Sequence, residues 1–507
     1  DFFPSVDAGH LRLHLRARTG TRIEETAKLT DEVEQAIRRE IPAAELEGML
    51  DNIGIPNSGI NLSYSNSGLI GTGDADVLIS LKPRHAPTAF YARRLRHRLP
   101  RQFPGTTFYF LPADIVSQTL NFGLPAPFDI QIVGRNLAKN RVVAGRLADW
   151  IRRVPGAVDV RVQQPFDEPK VHLDVDRTKA AEVGLNEREV ATSVLLTLSG
   201  SGQTQPAYWL NPATGVNYLL AAQAPQRDID SLAAIANIPV TSARSNSAQL
   251  VANLVKVSRA AGMPVVSHYD VQPVIDVYGG VAGRDLGGVL RAIRPLVQRA
   301  EGDLPRGSWI TLRGQAETMQ RSFNGLGAGL LYAIVLVYLL LVINFHSWSD
   351  PFIIITALPG ALAGVLWILF LTQTTLSVPA LMGAIMSLGV ATANSVLVVA
   401  FARQNLEHGL DAASAALEAG VSRLRPVMMT ALAMVIGMVP MALGLGEGGE
   451  QNAPLGRAVI GGLAFATIAT LFFVPVVFSV VHRRRPVEST AEGLLLSGAA
   501  DSAPTSI

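Results

Sequence analysis

The sequence predicts an α+β extracytoplasmic region followed by an all-α bundle of five transmembrane helices, and three observations carry that expectation. Charged and apolar side chains are mixed up to about residue 321, whereas residues 323–481 are mostly apolar. In the apolar part, five runs are long enough to cross a hydrocarbon core, which takes about 20 residues of helix. In the mixed part, stretches of helical period alternate with stretches of period two, the pattern of strands joined through amphipathic helices.

The elements follow in order. Residues 10–18 read as a strand, 22–39 as a helix, a short strand lies near Met49, and then come strand 76–82, helix 88–101 and strand 106–111. That β-α-β-β-α-β order is a ferredoxin-like split unit. A second unit opens at PFDIQIVG (127–134) and continues through helix 138–153 and strand 157–162. It resumes at QPVIDVYGGVAG (272–283), with helix 285–300 and strand 308–313. Residues 169–268, with strands and polar loops of their own such as TSARSNSAQ, read as an insertion. The expected boundaries are therefore 1–126 for a first subdomain, 127–168 with 269–320 for a second, 169–268 for the insertion, 323–482 for the membrane domain and 483–507 for a disordered tail. One connection stands out: IGIPNSGINLSYSNSGLIGTGDAD (53–76) is long and rich in Gly, Ser and Asn, as functional loops tend to be. Ser63, Tyr64 and Asn66 are its candidates for contact with a ligand.

The five spans are 325–345, 352–371, 378–402, 426–445 and 458–481, and none holds Asp, Glu, Lys or Arg. An odd number places the soluble region and the tail on opposite sides. Arg403, Arg423 and Arg425 lie in or beside the third-to-fourth connection and HRRRP follows the fifth span, whereas the opposite loops hold only Arg457. Excess Lys and Arg marks the cytoplasmic side, so the tail is expected there and the soluble region outside. On the third span Gly383, Ser387, Ala391 and Ser395 recur every four residues, a stripe on which another helix can approach closely. Asn394 lies beside that stripe and Thr392 near it. On the fourth span Pro426 is expected in the first turn, where Pro is tolerated, with Arg423 and Arg425 at the helix mouth and Thr430 two turns in.

Composition narrows the function classes. With 507 residues, 49% hydrophobic, 17% charged and net charge +2, the chain carries no basic stripe suited to nucleic acid. It has no cysteine, which removes disulfides and thiolate chemistry. It opens at Asp1 with no initiator Met or apolar leader, so a piece of a longer chain is expected. Asp174 and Asp176 alternate on a strand as a solvated face. His10 and His14 share the polar face of the first strand with Arg12 and Arg16, and metal binding is not expected there. No nucleophile–base pair, cofactor motif or metal-ligand cluster appears, so the chain is not expected to be an enzyme.

The stretches FFPSVDAGHLRLHLRARTGTRIEET, VDRTKAAEVGL, SWSDPFIIITALPGALAG, GVATANSVLVVAFARQ, RLRPVMMTALAMVIGMVPMALGLGEGGEQNAPLGRAVIGGL and ATLFFVPVVFSVV occur in this order and together resemble the C-terminal half of a resistance–nodulation–division (RND) efflux pump. The resemblance implies a homotrimeric inner-membrane proton antiporter. It would take up drugs or other amphiphilic small molecules in periplasmic porter subdomains and pass them through an adaptor protein to an outer-membrane channel. By the same resemblance 169–268 is largely the docking subdomain, 53–76 the loop between substrate pockets, and Asn394, Thr430, Arg423, Ser395 and Thr392 are proton-relay candidates. The family's proton-carrying aspartates lie on a span of the N-terminal half, which is absent here, and the family often has Lys where this chain has Ala393. The alternative is a non-transporting membrane scaffold or a truncated, inactive fragment of such a pump.

Overall fold

A computed structural model describes residues 1–4, 6–55, 68–204, 206–242, 245–446 and 448–483. Ser63, Tyr64 and Asn66 lie outside the described residues, as does the segment from 484 onward. The chain divides into two compact units, residues 165–265 and the remainder.

The larger unit starts with a four-stranded antiparallel sheet of β1 (His10–Arg16), β2 (Leu46–Ile53), β3 (Asp74–Leu81) and β4 (Thr107–Leu111), in the order β2-β3-β1-β4. Alternation along β1 sends Leu11, Leu13 and Leu15 to one face and Arg12, His14 and Arg16 to the other. The leucines meet Val33 and Ile37 of helix α1 (Ile23–Glu40) and Leu95 and Leu99 of helix α2 (Thr88–Gln102) in one buried core. Each such side chain contributes about 1.5–3 kcal/mol when fully buried. Glu24 and Glu25 in the first turn of α1 and Arg38 and Arg39 in its last suit the helix dipole. The connection after β2 is shorter than expected, because β3 begins at Asp74 and takes both aspartates of the DAD sequence into the sheet.

A second antiparallel sheet contains β5 (Phe128–Val133), β6 (Ala157–Val162), β13 (Ser267–Tyr269), β14 (Gln272–Val281) and β15 (Trp309–Gly314). β5 pairs with β14 on one side and β15 on the other, and β14 carries β6 and β13 along its far edge. Helices α3 (Leu137–Ile151) and α4 (Leu286–Gly302) belong to this sheet. Phe128, Ile130 and Ile132 are fully buried and Asp129 and Gln131, on the opposite face, are buried as well. At Gly314 a φ of +83° turns the chain from β15 directly into the first membrane-capable helix.

The smaller unit pairs β7 (Glu168–Val175) with β12 (Val255–Gly262), and holds two hairpins: β8 (Ala207–Leu210) with β9 (Asn217–Leu220), and β10 (Pro239–Ser242) with β11 (Ser245–Leu250). Its core gathers Ala180, Val190, Val194, Ile238, Val240, Val251 and Leu254. The helix Glu187–Ser199 is started by a reciprocal Asn186–Glu189 capping box.

Among the described residues five helices are long and apolar enough to cross a membrane: Gln315–Phe345, Ser349–Leu371, Val378–Glu407, Ala412–Ala442 and Ala453–His482. The fourth differs from expectation. It begins at Ala412, capped by Asp411, so Pro426 stands in its interior rather than in its first turn. An interior proline removes a backbone donor, and apolarity alone hid the preceding amphipathic turns. In the fifth, Ala469–Phe473 forms a π turn just before Pro475, a bulge that relieves the same clash.

Candidate functional site

The small-residue stripe of the third span is a packing seam. Gly383, Ser387, Ala391 and Ser395 are all buried. A Cβ at Gly383 would press on the Leu455 carbonyl and Ala458, and one at Gly462 on the Ser387 hydroxyl, so the seam lies against the fifth span. The Ser395 and Thr470 hydroxyls hydrogen-bond across it at 3.0 Å, both fully buried. Asn394 is 7% exposed and no hydrogen bond of its amide is seen among the described residues. The Thr392 hydroxyl donates to the Leu388 carbonyl at 2.9 Å and that of Thr430 to the Val427 carbonyl at 3.0 Å, each within its own helix. Arg423 lies with its guanidinium 4.7 Å from the Phe401 ring centroid. The structure therefore brings Ser395 to a partner and buries Asn394 beside the same seam. It forms no hydrogen bond between Asn394 and Thr430 or Arg423 among the described residues.

One end of the bundle carries a charged cluster. Arg403 of the third span pairs with Asp350 at 3.1 Å and also donates to the Phe345 carbonyl; His482, at the end of the fifth, lies 3.1 Å from the other Asp350 oxygen. The sequence-derived spans stopped short of all three.

The more extensive constellation is in the soluble region, on the polar face of the first sheet. Cross-strand register sets His14 opposite Asp76 on β3 and opposite Tyr109 on β4. His14 is fully buried, with Nδ1 2.6 Å from Asp76 Oδ1 and Nε2 3.2 Å from Asp74 Oδ1. Arg12 donates to Asp76 at 2.8 Å and Arg16 to Asp74 at 2.7 Å. Burial alone would raise both carboxyls; His14 and the arginines reverse this, holding Asp74 at about 2 and Asp76 below the usual carboxylate range. The Tyr109 ring stacks on His14 at 4.3 Å, and burial pushes its hydroxyl up to about 12.

This face meets the second sheet. Arg16 donates to the Gln163 carbonyl at 2.9 Å, and Arg161 of β6 lies 3.5 Å from the Tyr109 ring centroid. Arg96 of α2 makes a forked pair with Asp159, the shortest arm 2.7 Å. Deeper in the second sheet, Asp276 accepts from Gln131 at 3.2 Å and from Gln164 at 2.5 Å. Burial, reinforced for Asp129 by the neighbouring Asp276, raises both carboxyls. Among the described residues no group of three His, Asp or Glu is placed to hold a metal ion.

The sequence reading had located His14, Arg12 and Arg16 on one strand face but missed their partners. A signal existed: three cations at period two on one strand, and two carboxylates at period two on a strand that the β-α-β-β-α-β order places beside it.

Two antiparallel sheets with their helices, an inserted unit and, among the described residues, five helices long and apolar enough to cross a membrane form the pattern of a multi-pass membrane protein. The chain belongs to the AcrB/AcrD/AcrF family of resistance–nodulation–division proteins, whose family model matches residues 1–482. It is 26% identical to the cobalt-zinc-cadmium resistance protein CzcA of Cupriavidus metallidurans, over 97% of this chain and 46% of that protein. It is 27% identical to the multidrug resistance protein MdtC of Escherichia coli, over 96% and 45%. The crystal structure of a heavy metal efflux pump superposes with a TM-score of 0.79 at 26% identity, covering 96% of this chain and 48% of the other. The chain thus spans about half the length of the curated relatives it matches.

Proposed function

We propose that the chain is the C-terminal half of a proton-driven efflux transporter of the bacterial inner membrane, a secondary transporter rather than an enzyme. The two sheets are ferredoxin-like porter subdomains on the periplasmic side and the inserted unit is largely a docking subdomain. The complete protein forms a homotrimer with its missing N-terminal half and hands substrate through a periplasmic adaptor to an outer-membrane channel. The observation that carries this reading is the family match across residues 1–482 together with a length about half that of the relatives. Asn394 and Ser395 then face a coupling site whose carboxylates come from the other half, with Thr392, Thr430 and Arg423 in support.

For substrate the reading is drugs or other amphiphilic small molecules, in keeping with the multidrug relative. A second reading, metal cations, is favoured by the names of the cobalt-zinc-cadmium and nickel-cobalt resistance relatives. Expression of the full-length protein in cells lacking their own efflux pumps separates them. Lower accumulation of a lipophilic dye, abolished by a protonophore, supports organic export. Growth rescue on cobalt, zinc or cadmium with dye accumulation unchanged moves the substrate to metals. Neither effect, from protein present in the membrane, overturns transport and leaves a scaffold.

A further inference from the structure

The two sheet modules meet through a buried ionic layer centred on His14. His14 has a carboxylate oxygen opposite each ring nitrogen, at 2.6 Å and 3.2 Å. Each carboxylate also accepts from an arginine, Asp76 from Arg12 at 2.8 Å and Asp74 from Arg16 at 2.7 Å, so its charge is paired without a proton of its own. Only the imidazolium, with both nitrogens as donors, satisfies both contacts. A neutral ring would set a lone pair against a carboxylate oxygen in a layer from which water is excluded, and such a mismatch goes uncompensated.

The charged and titratable groups facing His14 come from four strands. They are Arg12 and Arg16 on its own β1, Asp74 and Asp76 on β3, Tyr109 on β4, and Arg161 of β6 beyond the Tyr109 ring. Further out, Arg96 and Asp159 neutralise each other. Tyr278, Asp129 and Asp276 lie on the second sheet, where burial raises all three and favours their uncharged forms. On β1 and β3 alone, the imidazolium sets three cations against two carboxylates, and without its proton the count is two against two. What changes is the connection outward. Asp74 is the group shared by His14 and Arg16, and Arg16 bonds the second module at the Gln163 carbonyl, 2.9 Å away, and the first module's own Gly68 carbonyl at 3.2 Å. Gln163 reaches back to the same Gly68 carbonyl at 3.2 Å. Asp74 Oδ2 is held by the Ile70 and Gly71 N–H groups at 2.6 Å and 3.1 Å, so an opposed Nε2 acts on Oδ1, the oxygen that Arg16 shares with the ring.

We propose that His14 is a proton-operated latch between the two sheet modules: its imidazolium fixes Asp74, Asp74 fixes Arg16, and Arg16 holds the second module at Gln163. The proposal rests on reading the modules as separately moving porter subdomains. The latched arrangement takes up a proton that the open one does not need, so acid favours the latched state and alkali the open one.

The test uses the full-length protein in lipid nanodiscs, with spin labels at exposed positions Glu47→Cys on β2 and Val142→Cys on α3; these 507 residues contain no native cysteine. The distance between labels is measured from about pH 5.5 to about pH 8.5, the span in which histidine switches operate. The wild type is expected to shift from one short-distance population to a longer, broader one as pH rises, with a one-proton midpoint. In His14→Gln that shift is lost. Tyr109→Phe, which keeps the ring and removes only the hydroxyl, retains it. A wild-type distance that does not move across the range overturns the latch without recourse to any variant, as does a His14→Gln profile equal to wild type. Dye or metal transport is scored separately. Flat distances in a working transporter overturn the latch alone, and titrating distances in a protein that moves neither substrate overturn the transport reading alone.

Discussion

Asn394 and the Asp74–Asp129 contrast show how much one side chain's surroundings decide. Asn394 is 7% exposed with no hydrogen bond of its amide among the described residues, and a buried amide left unpaired costs about 1–3 kcal/mol. Asn394→Ala in the complete transporter is expected to lower efflux several-fold at unchanged membrane abundance; efflux equal to wild type would sink its coupling role. Asp74 and Asp129 should titrate with opposite sign. Asp74, held at about 2, stabilises the fold at any pH above the ~3.9 of a free aspartate, and that contribution is lost as pH falls toward 2. Asp129, raised by burial, stabilises the fold when protonated, and that contribution is lost as pH rises through its folded-state value. Asp129→Asn is therefore expected to raise the thermal unfolding midpoint at neutral pH and to flatten its decline toward alkali, as followed by differential scanning fluorimetry. A lowered midpoint would show that the ionised carboxylate is needed.

Among the elements, the second and fifth spans make the closest approach. A Cβ at Gly364 would collide with the Gly461 carbonyl, and one at Gly461 with Ile368. Overpacking of this kind costs about 1–3 kcal/mol, so Gly364→Val is expected to reduce the folded fraction recovered from membranes, while Gly389→Ala, with open space around it, is expected to have no effect. Size-exclusion profiles of the two variants check this. The connection between β2 and β3 is the other element with a testable role. Replacing residues 56–67 by a short glycine linker leaves Asp74 and Asp76 in place and is expected to change substrate range; an unchanged range makes it a simple connector. Helix existence was legible in these elements because apolar runs near 20 residues have few other uses. Helix ends were not, since the turns outside the hydrocarbon core are amphipathic, as before Pro426, or charged, as at Asp350 and Arg403.

For the molecule as a whole, side of membrane is the first thing to establish. The soluble region and the 446–457 connection are expected outside, and the 403–425 connection inside. In a cysteine-free background, a cysteine at Gln451 should react with a membrane-impermeant thiol reagent in intact cells and one at His408 only after permeabilisation; the reverse pattern would invert the topology. The five apolar helices and the family resemblance were readable from the chain because they depend on local composition and on the order of motifs, and neither needs knowledge of what touches what. The charges of the first strand were read as one polar face, and the DAD sequence as the end of the 53–76 loop. Period-two alternation reports which side chains share a face, but it is silent on whether that face meets water or another sheet. That was decided by β3 docking beside β1 and by β6 closing over Tyr109. Only then did His14 acquire two carboxylates and lose its solvent, because a charge's energy depends on its neighbours in space and on the dielectric around them rather than on its place in the chain.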